Sequence, residues 1–217
     1  MAKAFSVNIV EAWGYDLLYP ILQDAYKVLY ISFQDLLLKK QMNPYIKPEN
    51  SKHWHLEDLI TDDLIRDEEN LPKIYEYRIV NQQKDANKNT RIDIAIQWSL
   101  IFGNSYDIKI ECKLLNKKNI NYFVEGGLSK FKTNKYSAKL GLAGMLAYNT
   151  SGNISENINF LNTNIRKKYS ESELLSQNNL IGDYPYLFKS THERISKSLI
   201  DIYTMGLDCK EIIQYKT

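Results

Sequence analysis

Two stretches in the middle of the chain alternate between apolar and polar residues, which is the pattern of β-strands that bury one face. They are residues 91–98 (RIDIAIQW) and 106–115 (YDIKIECKLL). Gly103 and Asn104 stand between them and favour a tight turn, so we predict that the two strands pair as a hairpin. Residues 74–80 (IYEYRIV) alternate in the same way, so the sequence predicts three consecutive strands.

Two helices are predicted before these strands, because apolar residues recur there at spacings of three and four. The first runs from Pro20 to Gln41, with the proline suited to a first helical turn. Its apolar residues cover more than one side, so we expect it to pack in the core, with a dimer contact as the alternative. The second covers residues 56–71, ends before Pro72 and carries seven acids, so most of its surface should be solvated.

Helical spacing also follows the predicted strands. Apolar residues of the segment 119–148 recur in this way, and the pair Gly126-Gly127 predicts a bend or break in that helix. A shorter helix is predicted over residues 154–165. Residues 184–207 combine β-rich edges with a polar centre and are predicted to be extended in part.

Composition places the chain among ordinary globular proteins. Its 217 residues have room for one domain and an added terminal segment. The formal charge of +2 is too small to mark a nucleic-acid binder by itself. Cys112 and Cys209 are its two cysteines, and Cys112 belongs to the buried face of a predicted strand, which argues against a disulfide framework. Without a run of membrane-spanning length or a signal-like N-terminus, we expect a cytoplasmic protein with no membrane partner.

Three side chains of the predicted hairpin could converge on one point. The period of two places Glu111 and Lys113 on the same face of their strand, and pairing brings Asp93 alongside. Two carboxylates form a hard oxygen site for Mg²⁺ or Mn²⁺. A lysine beside them can orient a water or neutralise a transition state, which suits phosphodiester hydrolysis. The alternative is that an acid and a lysine two residues apart form a solvated stripe or a weak surface ion pair.

A basic stretch follows the hairpin. Residues 113–139 hold seven lysines and a single acid, Glu125. Such a stretch beside an acidic metal site could follow a phosphate backbone, with Lys135 as one candidate contact, although a run of charge can equally be a solvated helix face.

A second group of candidate contacts lies in the last predicted extended segment. If that segment is a strand, Ser190, His192 and Arg194 share one face. They could hold phosphate or substrate, and an exposed edge strand or hairpin is the alternative.

The order of elements and the motif Asp93 … Glu111-Cys112-Lys113 resemble the PD-(D/E)XK nuclease superfamily, which has the restriction-endonuclease-like fold. The resemblance covers residues 56–148 and continues more weakly over the last forty. It implies an α/β fold class with a core of helix, three-stranded antiparallel meander, helix and further strand, flanked by an N-terminal helix and a C-terminal α+β extension. The implied domains are a helical segment (1–52) and a nuclease-like domain (53–217), with its core at 56–150 and its extension at 151–217.

The same resemblance implies a Mg²⁺- or Mn²⁺-dependent endonuclease acting on DNA, less often on RNA. Asp93 and Glu111 would bind the metal and Lys113 would be the catalytic lysine. Glu57 would match the acid that many members carry on the preceding helix, with Glu68 and Glu69 as competing positions. Lys130 would be the polar residue that the next helix contributes to substrate binding. Ile92 precedes Asp93 where the motif's name has a proline.

The resemblance also implies a biological setting, which is bacterial restriction or anti-phage defence. A homodimer or a partner protein from a defence system would then be expected, since cutting both strands of a duplex suits a two-fold arrangement. Two other classes stay open. One is a non-catalytic nucleic-acid-binding or assembly subunit that keeps the nuclease fold, and the other is a helical interaction protein built on residues 20–41. Walker A, GxGxxG and GxSxG motifs are missing from the sequence, so nucleotide-driven, Rossmann and serine-hydrolase functions have no support.

Overall fold

A seven-stranded mixed sheet forms the centre of the protein, with helices on both faces. The structure is a computed structural model, and it describes residues 5–48, 55–66, 71, 73–81, 84–85, 90–91, 93–99, 105–136 and 140–215. The helices are α1 Phe5–Met42, α2 Leu56–Ile65, α3 Ile120–Tyr122, α4 Ser129–Lys132 and α5 Ile154–Lys168; a π-helical segment, Phe123–Leu128, joins α3 to α4, and 3₁₀ turns span Glu171–Glu173 and Lys210–Ile212. The strands are β1 Tyr45–Lys47, β2 Arg78–Asn81, β3 Lys84–Asp85, β4 Thr90–Arg91, β5 Ile94–Ser99, β6 Ser105–Leu115, β7 Leu142–Asn149, β8 Ser176–Gln177, β9 Leu187–Glu193, β10 Leu199–Asp208 and β11 Ile213–Tyr215.

The strand order in the sheet is β2-β5-β6-β7-β10-β9-β8. The first three strands are antiparallel, as the meander prediction requires, and the register pairs Ile94 with Ile110. β7 then lies parallel to both β6 and β10, while β9 and β8 continue antiparallel. Two small pairs lie outside this sheet, the hairpin β3-β4 and the parallel pair β1-β11. The predicted turn at Gly103 and Asn104 lies outside the described residues.

The prediction that residues 142–148 continue a helix was wrong. Leu142–Asn149 is β7, and every residue of it is buried. A parallel strand covered on both faces is apolar throughout and does not alternate, so its pattern matches that of a buried helix equally well. The short helices and the π segment occupy the earlier part of the predicted helix, up to Lys132.

The N-terminal helix begins earlier than predicted. α1 starts at Phe5, so Pro20 lies inside the helix rather than in its first turn. A proline there costs a backbone hydrogen bond, about 3 kcal/mol. Burial of the residues that follow it, including Ile21, Leu22 and Ala25, offsets that cost because they pack against the sheet. The described apolar face of α1 therefore packs in the core, as predicted.

A close contact fixes α1 to the middle of the sheet. The hydroxyl of Tyr26 donates to the carbonyl of Tyr203 at 2.6 Å and accepts from the amide N–H of Met145 at 3.1 Å. Gly144 makes room for it, since a Cβ there would lie 2.5 Å from the hydroxyl oxygen. The helix thus rests directly on β7 and β10.

Two further boundaries differ from the prediction. α2 ends at Ile65, and the remainder of its predicted span, with Glu68 and Glu69, lies largely outside the described residues. β2 begins at Arg78 rather than at residue 74, because the segment before it binds α1 instead of a strand. There Asp24 accepts hydrogen bonds from the amide N–H of Ile74 and the hydroxyl of Tyr77.

The two faces of the sheet carry separate cores. α1 and α2 cover the face that includes Ile110 and Cys112, while α3 to α5 cover the face that includes Ala95 and Met145. Side chains of β6 therefore alternate between the two layers, which places Glu111 and Lys113 opposite Cys112. None of the helices in the described part of the chain has the length and apolar character needed to cross a membrane.

Candidate functional site

Four oxygen atoms surround the ammonium group of Lys113. Its Nζ lies 2.7 Å from Oε1 of Glu57, 2.8 Å from Oε1 of Glu111 and 3.5 Å from Oδ2 of Asp93. It also donates to the backbone carbonyl of Cys112. The lysine is 2% exposed and Glu111 is 0% exposed, so this is a buried charged cluster rather than a surface ion pair.

Backbone N–H groups of β6 hold two of these carboxylates in place. Asp93 lies in a bend directly before β5, not within a strand as predicted, and its Oδ2 accepts the amide N–H of Cys112 at 2.8 Å. Glu57 is the second residue of α2, and its Oε2 accepts the amide N–H of Leu114 at 3.2 Å. Hydrogen bonds therefore join the bend that carries Asp93 and the first turn of α2, which carries Glu57, to the strand that carries Lys113.

Glu111 is held by two lysines. Lys113 and Lys130 both donate to its Oε1, and Lys130 reaches it from α4 across the π-helical segment. Its other oxygen, Oε2, is buried and has no hydrogen-bond partner among the residues that the structure describes. A buried acceptor without a donor lowers the stability of the folded state by about 1–3 kcal/mol. A hydrogen-bond donor or a metal ion that bound to this oxygen would remove that cost.

Burial sets the protonation of the cluster. It raises the pKa of Glu111 to about 6, with the charge of Asp93 adding to the effect and the lysines opposing it. Burial likewise raises the pKa of Glu57, against the opposing effect of Lys113. For Lys113 burial alone would lower the pKa, but the surrounding carboxylates outweigh it and raise the pKa above its usual range. Lys113 therefore stays charged at neutral pH.

The cluster forms one wall of an open cavity of about 370 Å³. Tyr122 flanks its mouth with 59% of its surface exposed, and the Lys113 ammonium lies 5.4 Å from the centre of that ring. Most of the wall is polar, which suits a charged ligand more than an apolar one. The lining residues are His55, Glu57, Asp58, Asp93, Glu111, Lys113, Leu114, Asn119, Tyr122 and Lys130.

The donor atoms of the cluster suit a hard divalent cation. Oxygen atoms of Asp93 and Glu111 both lie within 3.5 Å of Nζ of Lys113, so two hard carboxylate donors stand on the same cavity wall beside the lysine. Among the described residues, no three His, Cys, Asp or Glu side chains are already arranged as a metal-binding group. Mg²⁺ commonly uses only one or two carboxylates and keeps several waters, so two carboxylates with the unpaired Oε2 fit its needs.

Of the basic residues predicted to contact substrate, the structure brings only Lys130 to this cavity. Lys135 is exposed and does not line it. Composition does not separate these two lysines, because both belong to one basic stretch, but the family resemblance singled out Lys130.

Ser190, His192 and Arg194 do not line the cavity either, and all three are buried. His192 bridges Ser190 and Glu173, with both ring nitrogens 2.8 Å from their partners, and Arg194 donates to the carbonyl of Leu140. The alternative of an exposed edge strand was wrong, since β9 lies between β10 and β8, whereas the alternative of a hairpin is confirmed, since β9 pairs antiparallel with the following strand β10. These side chains stabilise the interior in the structure.

Sequence reasoning missed five of the residues that line the cavity, namely His55, Asp58, Leu114, Asn119 and Tyr122. Tyr122 and Asn119 precede the π-helical segment and line the mouth. A tyrosine in a basic stretch is a weak sequence signal, because tyrosine is common in this chain, with 16 copies.

Fold and site together define a mixed α/β protein with a seven-stranded sheet and a buried carboxylate-lysine cluster at the junction of β5, β6 and α2. Comparisons with protein-family models, curated proteins and solved structures found no match.

Proposed function

We propose that this protein is a metal-dependent nuclease of the PD-(D/E)XK type that hydrolyses phosphodiester bonds, with DNA as the preferred substrate. The observation that carries the proposal is the convergence of Asp93, Glu111 and Lys113 on one cavity wall. The antiparallel order β2-β5-β6, followed by the parallel strand β7, supports it. A cytoplasmic role in bacterial restriction or anti-phage defence rests on the family resemblance alone.

Asp93 and Glu111 are the residues that would hold Mg²⁺ or Mn²⁺, which would supply an activated water and offset charge on the phosphate. Lys113 is charged, so it is not a base, and its N–H groups point to Glu57, Glu111 and the Cys112 carbonyl. Its positive charge would offset the negative charge of a phosphate at the cavity wall. Lys130 keeps the Glu111 carboxylate oriented. Glu57 holds Lys113 from the helix side and can orient a water at the cavity wall.

The test is a cleavage assay with plasmid, linear DNA and RNA over a range of Mg²⁺ and Mn²⁺ concentrations. Asp93→Asn, Glu111→Gln and Lys113→Met should each lower the rate by about 100-fold or more. Lys197→Met is the matched control, because Lys197 is 84% exposed and pairs only with Glu193 on the far hairpin among the described residues. It should cleave like the unmodified protein.

Folded protein that binds nucleic acid but never cleaves it, at any metal concentration, would favour the non-catalytic binding or assembly subunit. Cleavage that persists in Asp93→Asn and Glu111→Gln would instead assign the reaction to another site.

A further inference from the structure

A second, larger cavity of about 630 Å³ opens beside the candidate site. Leu114 and Asn119 line both cavities, so the two cavities adjoin each other. Lys47, Lys117 and Lys118 line the second cavity. We call this second cavity the basic groove.

Three exposed lysines line the basic groove, namely Lys47, Lys117 and Lys118. Within the described part of the chain, the salt bridges include none of the three. Among the described lining residues the acid is Glu156, in the first turn of α5, so these residues carry more positive than negative charge. The ammonium of Lys117 lies 4.4 Å from the ring centre of Phe160, and this cation–π contact helps to hold the lysine at the edge of the basic groove.

The loop that carries two of these lysines is fixed rather than loose. Oδ1 of Asn116 accepts the amide N–H groups of Lys118 and Asn119 at 3.1 Å, and its Nδ2 donates to the hydroxyl of Thr150 at 2.7 Å. The loop backbone is therefore bound to Thr150, directly after the end of β7. A positively charged groove beside a candidate phosphodiesterase site suits a polynucleotide backbone.

Exposed aromatic side chains line both cavities. Tyr122 flanks the acidic cluster with 59% of its surface exposed, and Tyr215 lines the basic groove with 57% exposed. Aromatic rings beside a positively charged groove are the features that bind unpaired nucleotides, because every base can stack on them. In a duplex the base faces are covered by neighbouring pairs, and the two tyrosines would have nothing to stack on.

We infer that the basic groove and the adjoining candidate cavity bind a single-stranded segment of nucleic acid, with phosphates on Lys47, Lys117 and Lys118 and bases stacked on Tyr215 and Tyr122, which brings the strand to the acidic cluster. The inference rests on the proposed function for the direction of delivery. It adds to that function a substrate class, namely unpaired strands such as single-stranded DNA, flaps or frayed ends.

The test measures binding by fluorescence anisotropy in EDTA, so that no cleavage occurs. The probes are a labelled oligodeoxythymidylate of roughly 12 nucleotides and a labelled blunt duplex of equal length. The single strand should bind about tenfold tighter than the duplex. The triple variant Lys47→Met, Lys117→Met, Lys118→Met should weaken single-strand binding about tenfold and lower the slope of log affinity against log salt by about 2, since each phosphate contact contributes about 0.7.

Two matched variants separate the groove from general charge effects. Glu156→Gln removes the acid of the groove and should tighten binding, while Lys197→Met removes an exposed lysine elsewhere and should leave it unchanged. Tyr215→Ala should weaken the single strand and leave duplex binding unchanged.

Equal or tighter duplex binding, or a triple variant that binds the single strand like the unmodified protein, would overturn the inference. That failure differs from failure of the proposed function. Metal-dependent cleavage that needs Asp93 but ignores the three lysines would refute the groove alone. Lysine-dependent binding of single strands without any cleavage would support the groove and refute the nuclease.

Discussion

The amide N–H of Cys112 donates a hydrogen bond of 2.8 Å to the carboxylate of Asp93, which joins the acid before β5 to the next strand. The bond places Asp93 beside Lys113, although the two are twenty residues apart along the chain. Because a register shift of one residue would turn Glu111 and Lys113 to the other face, this bond helps to define both the hairpin and the site.

Two substitutions of Asp93 should separate its structural role from its proposed role in metal binding. Asp93→Asn keeps an oxygen acceptor for the Cys112 N–H and should change the free energy of unfolding by less than about 1 kcal/mol. Asp93→Ala removes the acceptor and should cost about 1–3 kcal/mol. Both should abolish stabilisation by Mn²⁺, which in the unmodified protein should reach about 2.7 kcal/mol at 100 times the dissociation constant. Urea unfolding with and without Mn²⁺ measures all of these, and a Mn²⁺ effect that survives in both variants would exclude Asp93 as a ligand.

Lys113 should be essential to stability as well as to the proposed reaction. Lys113→Met leaves Glu57, Asp93 and Glu111 facing one another without the ammonium between them, and it should destabilise the protein by about 3–5 kcal/mol. Adding Glu111→Gln removes one of the unpaired charges and should recover part of the loss. Chemical denaturation of both single variants and the double variant gives the coupling energy. Additive effects would contradict the close pairing.

Glu111 should make the protein less stable as pH rises through the weakly acidic range. Its pKa is raised from the ordinary 4.5 to about 6 in the folded state. Between pH 4.5 and pH 6, Glu111 is therefore largely protonated in the folded state and largely ionised in the unfolded state. Its stabilising contribution is complete below pH 4.5 and is lost as pH passes 6, a fall of about 2 kcal/mol in the free energy of unfolding. Unfolding curves from pH 4.5 to 7 should show this slope, and Glu111→Gln should reduce it. A slope that Glu111→Gln leaves unchanged would assign the titration to another group.

The buried network of Glu173, His192 and Ser190 should matter for stability and not for the site. Burial would raise the pKa of Glu173, but hydrogen bonds from His192 and Lys132 outweigh it and lower the pKa. The stabilisation they provide is present above pH 4.5 and is lost as pH falls through the lowered pKa. Glu173→Gln should therefore cost about 2–3 kcal/mol near neutral pH, measured by urea unfolding.

The matching functional measurement uses His192→Gln at a temperature where the variant is folded. Its affinity for nucleic acid should equal that of the unmodified protein, because His192 is buried and does not line the candidate cavity. A selective loss of affinity would restore the substrate-binding role that the sequence suggested for it.

The hairpin and the shared direction of Glu111 and Lys113 could be predicted because β5 and β6 each have one face turned to an apolar core on α1 and α2. In such strands the alternation of apolar and polar residues shows which side chains share a face. β7 could not be predicted in this way, since helices cover both of its faces and its residues show no polar alternation before Asn149. The strand became identifiable only through its pairing with β6 and β10.

The surroundings of the hairpin acids were harder to predict than the hairpin. Glu57 was one of several acids in an acidic helix, and it is the packing of α2 on the sheet that directs it to Lys113. Lys130 and Lys135 have the same charge and nearly the same position in sequence. The π-helical segment and the end of α4 decide that Lys130 alone reaches the cavity.

The π-helical segment Phe123–Leu128 lies between Tyr122 and Lys130, so the relative orientation of these two residues depends on the number of residues in that segment. A π turn holds one residue more than an α turn, so everything after it is rotated by about 100° relative to a regular helix. Deleting Gly126 or Gly127 would allow continuous α-helix to form and would swing Lys130 about a quarter of a turn from Glu111. A change in the number of residues is thus a change that this flank of the molecule should fail to tolerate.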